Sequence, residues 1–388
     1  MHSFVPDSTA SADRTVGIAV AIASVTLAGV GLALSIPLLA FAMEARGAPG
    51  WLIGLNTAMG GLATVVAAPL IPRAAGLVGV RMLLLLALAL GAATMLGFAV
   101  VTPLWAWFPL RFSLGVSLAV LFVLSEFWIN AAAPEKSRGL VMGVYATALS
   151  IGFGCGPLIL AATGMDGYPP YLACAALYLV ATLPLVLAGR NAPILSEPEP
   201  GRGVIFFIKL APVATLAGFI YGAVETGAFT FLPLYGARIG LEASSAALTV
   251  TAMAFGNILF QIPLGMLSDR MDRRLLLILI GGVSAVGAGL IPLAAPSPLA
   301  LYALLTLWGG LVLGLYTVGL AHLGARFSGN DLATANAAFV VMYSLGLLAG
   351  PPALGIGFDL WPPHGAPAAI ALMLLAFFAV ALWRRRSA

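Results

Sequence analysis

Charge is scarce in this sequence. Only 8% of its 388 residues are Asp, Glu, Lys or Arg, against about 25% in a soluble domain, while 61% are hydrophobic and the mean hydropathy is +1.07. A soluble enzyme, a disordered chain and a nucleic-acid binder all need more polar surface than this, and composition excludes them. Cysteine is nearly absent: Cys155 and Cys174 both sit inside apolar runs. That leaves neither a disulfide framework nor a cysteine-rich metal site, and both are expected as small packing residues. No P-loop, metal-ligand cluster or Gly-x-Ser-x-Gly turn occurs. ATP hydrolysis and proteolysis therefore find no support, and neither a cofactor nor a metal is expected. Residues 1–14 are polar and lack the basic start of a secretory signal. The apolar run after them is longer than the roughly 7–15 residues of a signal core, so it is read as a retained span.

Long apolar runs are abundant instead. A hydrocarbon layer of about 30 Å takes roughly 20 residues of helix, and every backbone group inside it must be paired. Runs of that length lie at about 16–42, 50–72, 80–101, 104–130, 138–163, 168–189, 206–236, 243–268, 275–294, 298–325, 331–357 and 365–383. They predict an all-α membrane protein with 12 transmembrane helices. Connections as short as Thr102-Pro103 make neighbouring helices antiparallel. With the N-terminus inside, Arg14, Arg73, Arg81, Lys136, Arg138, Arg190, Arg202, Lys209, Arg270, Arg273, Arg274, Arg326, Arg384, Arg385 and Arg386 fall at cytoplasmic ends. These are fifteen of the 18 cationic residues; Arg46 and Arg238 lie outside and Arg111 lies within a span. Since cytoplasmic loops retain positive charge, both termini are expected in the cytoplasm.

One polar stretch divides the chain. Around Glu197-Pro198-Glu199-Pro200 the composition suits a solvated linker, placed at 191–205 between bundles at 1–190 and 206–388. Sliding one half onto the other by 194 residues aligns Pro69-Leu70 with Pro263-Leu264, Gly115 with Gly309 and Ser150 with Ser344. It also aligns Gly152 with Gly346 and Gly156-Pro157 with Gly350-Pro351. Two pseudo-symmetric six-helix bundles enclosing a solute site at their interface are the expected architecture.

Particular motifs carry a resemblance. Gly265 through Arg274 is similar to the G-x-L-x-D-R-x-G-R-R loop of the major facilitator superfamily, with Asp272 replacing the second glycine. The matching loop of the first half, Ile71 to Val80, has Ala75 where the second has Asp269. Arg111, Gly115 and Ala119 resemble the family's R-x-x-Q-G motif, with Leu114 for the glutamine. Gly143, Gly152 and Gly156-Pro157 are spaced as in the family's drug:proton antiporters, with Leu160-Ala161 where two glycines usually follow. With Ser125 through Asn130, the chain looks most like the YcaD-like branch. The resemblance implies the major facilitator fold and a monomeric multi-pass transporter of the bacterial inner membrane. Its expected partners are a small-molecule substrate, protons and the lipid bilayer, with no nucleic acid.

The motifs also have physical readings. Asp269, Arg270, Asp272, Arg273 and Arg274 can form a cytoplasmic gate by charge-assisted hydrogen bonds between the halves. Gly143, Gly152, Gly156, Gly346 and Gly350 permit close helix approach, and Pro157 and Pro351 loosen their helices for rocking. A charge at the bilayer centre costs about 2.5–3.5 kcal/mol on insertion scales, which singles out Arg111, Glu126 and Glu225. Glu225, about 24 Å from the inner side at 1.5 Å per residue, is expected in the outer half of the membrane. It is read as a protonatable carrier, with Arg111 stabilising its charged form when the site rearranges. Glu126 belongs near the cytoplasmic end, as a partner of Arg138 or as a second proton site. Glu44 and Asp359 are expected to be solvated, and His322 to be a packing residue. Tyr221 and Tyr235 are candidate cavity residues from their nearness to Glu225, as are Asn56 and Gln261 from their polarity; Asn257 is a further polar candidate. Proton-coupled efflux of an apolar or amphipathic compound follows as the expected function. Uptake of a metabolite, a passive facilitator and, remotely, a membrane-embedded enzyme stand as alternatives.

Overall fold

The computed structural model describes residues 8–134, 138–187 and 204–386. Among these residues there is no strand. Twelve helices are long and apolar enough to cross a membrane: Thr15–Glu44, Gly50–Ala67, Val80–Val100, Leu104–Ala132, Leu140–Thr163, Pro169–Leu187, Pro212–Arg238, Ala243–Arg270, Arg273–Ala294, Pro298–Arg326, Thr334–Leu360 and Gly365–Arg385. They are called spans one to twelve below. Several of their hydroxyls are paired locally: Thr64, Thr94, Thr147 and Ser150 each donate to the carbonyl four residues earlier. That satisfies a polar group where water is excluded.

The spans match the expected ones except at the seventh. A short helix, Val204–Leu210, stops at Ala211 before span seven begins at Pro212. Proline has no N–H to continue a preceding helix, but its fixed φ suits the first turn of a new one. Helix therefore resumes at Val204, inside the segment expected as a linker; the rest of that linker, with Arg190 and Arg202, lies outside the described residues, as does Lys136. A second difference is the connection after span two. It contains a helix, Ile71–Val78, closed by Gly79 at φ 86°, a conformation that favours glycine.

The repeat in the sequence is a repeat of helix contacts. A methyl group added at Gly115 in span four would lie 2.8 Å from the Gly60 Cα of span two; one at Gly309 in span ten would lie 2.6 Å from the Met253 carbonyl of span eight. Gly152 and Gly156 of span five meet span one, where an added methyl would lie 3.0 Å from the Thr26 oxygen and 2.6 Å from Leu34 N respectively. Gly346 and Gly350 of span eleven meet Phe219 and Ala223 of span seven in the same way. Helix backbones touch at these places because no side chain intervenes. Pairings two–four and one–five thus recur as eight–ten and seven–eleven, giving two bundles of one construction. Pro157 lies inside span five, and Pro351 meets Gly54 of span two.

Gly143 departs from expectation. A methyl there would meet nothing within 4 Å. Nine residues separate it from Gly152, two and a half turns at 3.6 residues per turn, so the two glycines face opposite sides of the helix.

Named contacts join the bundles towards the face away from the chain ends. Glu44 Oε1 lies 2.9 Å from Arg238 Nε, joining spans one and seven, and the Arg238 guanidinium sits 3.8 Å from the Phe358 ring centre. Asp359 accepts from Gly50 N at 2.8 Å and Trp51 N at 2.9 Å, tying span eleven to the start of span two. Glu44 and Asp359, expected to be solvated, are thus bonding groups. Chain topology places the ends of four spans side by side there, a proximity absent from the local sequence. Deeper in, Thr251 Oγ1 donates to the Gly154 carbonyl at 3.2 Å.

At the face carrying the chain ends, the charged turn bonds within its own bundle. Arg273 contacts Asp269 at 3.3 Å and donates to Ser268 at 3.2 Å. Asp272 caps Leu275 N, and Arg274 reaches the Arg384 carbonyl. Arg270 is exposed. Among the described residues none of these charges bonds to the other half.

Candidate functional site

Glu225 is the central residue of span seven, thirteen residues from Pro212 and thirteen from Arg238, or roughly 20 Å of helix on either side. This corrects its expected position in the outer half: Lys209, used as the origin of that estimate, belongs to the separate short helix. Its carboxylate is held by two phenols. Tyr221, one turn earlier, donates to Oε1 at 2.7 Å, and Tyr343 of span eleven donates to Oε2 at 2.7 Å. Gly222 lets span eleven come close enough, since a side chain there would strike the Tyr343 carbonyl. Tyr316 of span ten completes the wall, with its ring centre 5.4 Å from Tyr221 and 5.6 Å from Tyr343.

A second carboxylate lies on the other bundle. Tyr145 of span five donates to Glu126 Oε1 at 3.1 Å. Glu126 lies within electrostatic range of Tyr316 and Tyr343, which belong to the other bundle. Tyr145 is buried while Glu126 is exposed, six residues before the end of span four at Ala132. Among the described residues no ion pair reaches either carboxylate. Phe153 and Phe229 meet edge to face at 6.0 Å across the same interface. Such a cluster can take up and release protons, and its rings can face a cation or an apolar body.

Other candidates fall elsewhere. Arg111 is buried, at 5% exposure, inside the N-terminal bundle with its Nη1 unpaired. Tyr178 and Cys174 of span six are its electrostatic neighbours, and the structure does not bring it to Glu225. The Tyr178 hydroxyl is also unpaired, while Cys174 donates to the Gly31 carbonyl at 3.2 Å. Tyr235 is fully buried with its hydroxyl 3.3 Å from His364 Nδ1. Ten residues beyond Glu225, roughly 15 Å along the helix, it is removed from the cluster. Asn56 is buried with Nδ2 unpaired, Asn257 has an unpaired Oδ1, and Gln261 is half-buried in span eight. His322 is half-buried, in electrostatic range of Arg326 and Asp272.

Sequence reasoning missed Tyr343. One signal could have found it: Tyr343, Gly346 and Gly350 are spaced i, i+3, i+7 and share a helix face. That face packs against span seven, which carries Glu225.

The comparisons with known proteins agree with this architecture. The chain is 25% identical over 340 residues to an uncharacterized MFS-type transporter, YfkF of Bacillus subtilis (strain 168), covering 85% of this chain and 86% of that one. It is 26% identical over 264 residues to the uncharacterized MFS-type transporter YcaD of Escherichia fergusonii, covering 67% of each. Among solved structures, the nucleoside transporter NupG matches 97% of this chain and 98% of its own with a TM-score of 0.76 at 14% identity. A bacterial homolog of the human lysosomal transporter Spinster, inward-facing and occupied, matches 95% and 97% with a TM-score of 0.77 at 15% identity. One family description fits residues 21–248 and again 214–388, and by it the chain belongs to the Major Facilitator Superfamily.

Proposed function

We propose that this membrane transporter works by alternating access and exchanges an apolar or amphipathic small molecule for protons, in the direction of export. The observation that carries the proton coupling is the pair Glu225 and Glu126, one in each bundle and each accepting from tyrosine hydroxyls of its own bundle, with no described cation paired to either. A carboxylate at mid-depth without a counterion can hold a proton in one state of the cycle and release it in another. A proton exchanged for an uncharged cargo carries one net charge, worth about 2.3 kcal/mol across 100 mV, whereas a proton exchanged for a monovalent cation draws on the pH difference alone. The distribution of Lys and Arg supports a cytoplasmic position for the face carrying the chain ends. On that orientation, Glu44–Arg238 and Asp359 close the outer side while the Asp269–Arg274 turn stands undone. The glycine and proline pattern of span five, similar to that of drug:proton antiporters, supports export.

The test is transport by purified protein in liposomes under an imposed pH gradient, screened against lipophilic cations, amphipathic drugs, sugars and organic acids with a trapped pH dye. One compound class should dissipate the gradient, and Glu225→Gln should abolish that response. A response unchanged by Glu225→Gln would remove this residue from the coupling step.

A further inference from the structure

The two carboxylates are not equivalent. Glu225 has a phenol at 2.7 Å on each oxygen and is half-buried. Glu126 has Tyr145 on one oxygen at the longer distance of 3.1 Å and is exposed. We propose that Glu126 is the carboxylate that meets the cargo, and that the cargo is an organic cation with an apolar or aromatic body. Glu225 then serves as the proton site. The assignment rests on the transport reading above only in taking this cluster as the cargo site.

Three observations converge on it. A negative group at an interface where no described Lys or Arg pairs with it attracts a cation and repels an anion, since burying an unpaired charge is costly. Aromatic groups from both bundles stand near Glu126, Tyr145 bonded to it and Tyr316 and Tyr343 within its electrostatic range, and ring faces attract cations while packing against apolar surface. Glu225 has both oxygens occupied by hydrogen-bond donors, so an incoming ion would have to displace a phenol, whereas Glu126 offers an approach that displaces none.

Tetraphenylphosphonium and tetraphenylborate have the same shape and opposite charge, which makes them the probes for this assignment. Binding to the purified full-length protein is measured in detergent, without a gradient. Phosphonium should bind at least about tenfold more tightly than borate, and Glu126→Gln should remove that preference, whereas Glu225→Gln should keep the preference whatever its effect on affinity, and Glu44→Gln, away from the cluster, should change phosphonium binding by less than about threefold. Glu126→Asp, which keeps the charge, should keep the preference. Should Glu126→Gln not fold, carbodiimide labelling of the unmodified protein read by mass spectrometry replaces it: phosphonium should protect Glu126, and borate should not. Equal binding of both ions, binding of neither, unprotected Glu126, or loss of the preference in Glu225→Gln rather than Glu126→Gln would each overturn the proposal. Phosphonium binding without pH-driven flux would count against proton coupling and leave the charge assignment standing.

Discussion

In the N-terminal bundle Gly152 and Gly156 seat span five on span one; 194 residues later Gly346 and Gly350 seat span eleven on span seven. The same shift carries Tyr221, Glu225, Tyr316 and Tyr343 onto Leu27, Gly31, Phe122 and Leu149, and Arg111 onto Leu305. The seams recur and the polar chemistry does not. Backbone contact depends on the absence of side chains at a few positions, and any change there moves whole helices. A residue facing the interface can change without disturbing a seam. Gly31 illustrates the limit, since even a methyl there would lie 3.1 Å from the Tyr178 ring, leaving no room for a second Glu225.

Substitution at the seams tests the shared frame and should have the largest effect. Gly156→Leu and Gly350→Leu should each destabilise by more than about 3 kcal/mol, as overpacking against backbone has nowhere to relax, with loss of monodisperse protein on size exclusion. Gly143→Leu, facing open space, should stay within about 0.5 kcal/mol. If only one bundle responds, the seams are not equivalent.

The contrast in chemistry is sharpened by Tyr343→Phe, which keeps the ring and removes one donor from Glu225. A hydrogen bond to a charged group is worth about 1.5–3 kcal/mol, so pH-driven flux should fall by about tenfold or more. Leu149→Ile at the equivalent N-terminal position should leave flux unchanged. Arg111→Leu installs the residue that the C-terminal bundle has at Leu305. It removes a buried charge with an unpaired nitrogen, so stability should hold or rise, by about 1–4 kcal/mol at most, read as an unchanged or higher midpoint of thermal unfolding. A clear fall would mean that Arg111 has a stabilising partner. The smallest effect is expected from Glu44→Gln. With Glu44 26% and Arg238 30% exposed, the pair is worth about 0–1 kcal/mol and is weakened by salt. A modest widening of label distances across that face is expected.

Much of the frame was legible in the sequence because it depends on one-dimensional properties. Twelve spans follow from apolar length, and the half-repeat from Gly-x-x-x-Gly-Pro at a fixed offset. Glu225 and Glu126 stood out because charge is costly in hydrocarbon. What was not legible depends on helix rotation and on which helices become neighbours. Arg111 and Glu225 are both intramembrane charges, and only packing shows that one faces Tyr178 and the other Tyr343. Gly143 matched a spacing pattern but not the phase of its helix. Glu44 and Asp359 read as solvated charges at outer helix ends because their partners lie 194 and about 309 residues away.

The tie at Asp359 has a genetic consequence. Its partners on span two are the main-chain amides of Gly50 and Trp51, which every residue except proline supplies. Substitution on that side can crowd the joint but scarcely deletes its donors, while a single codon, that of Asp359, removes both bonds together. Inherited adjustment of how firmly this end shuts can therefore run through one position alone.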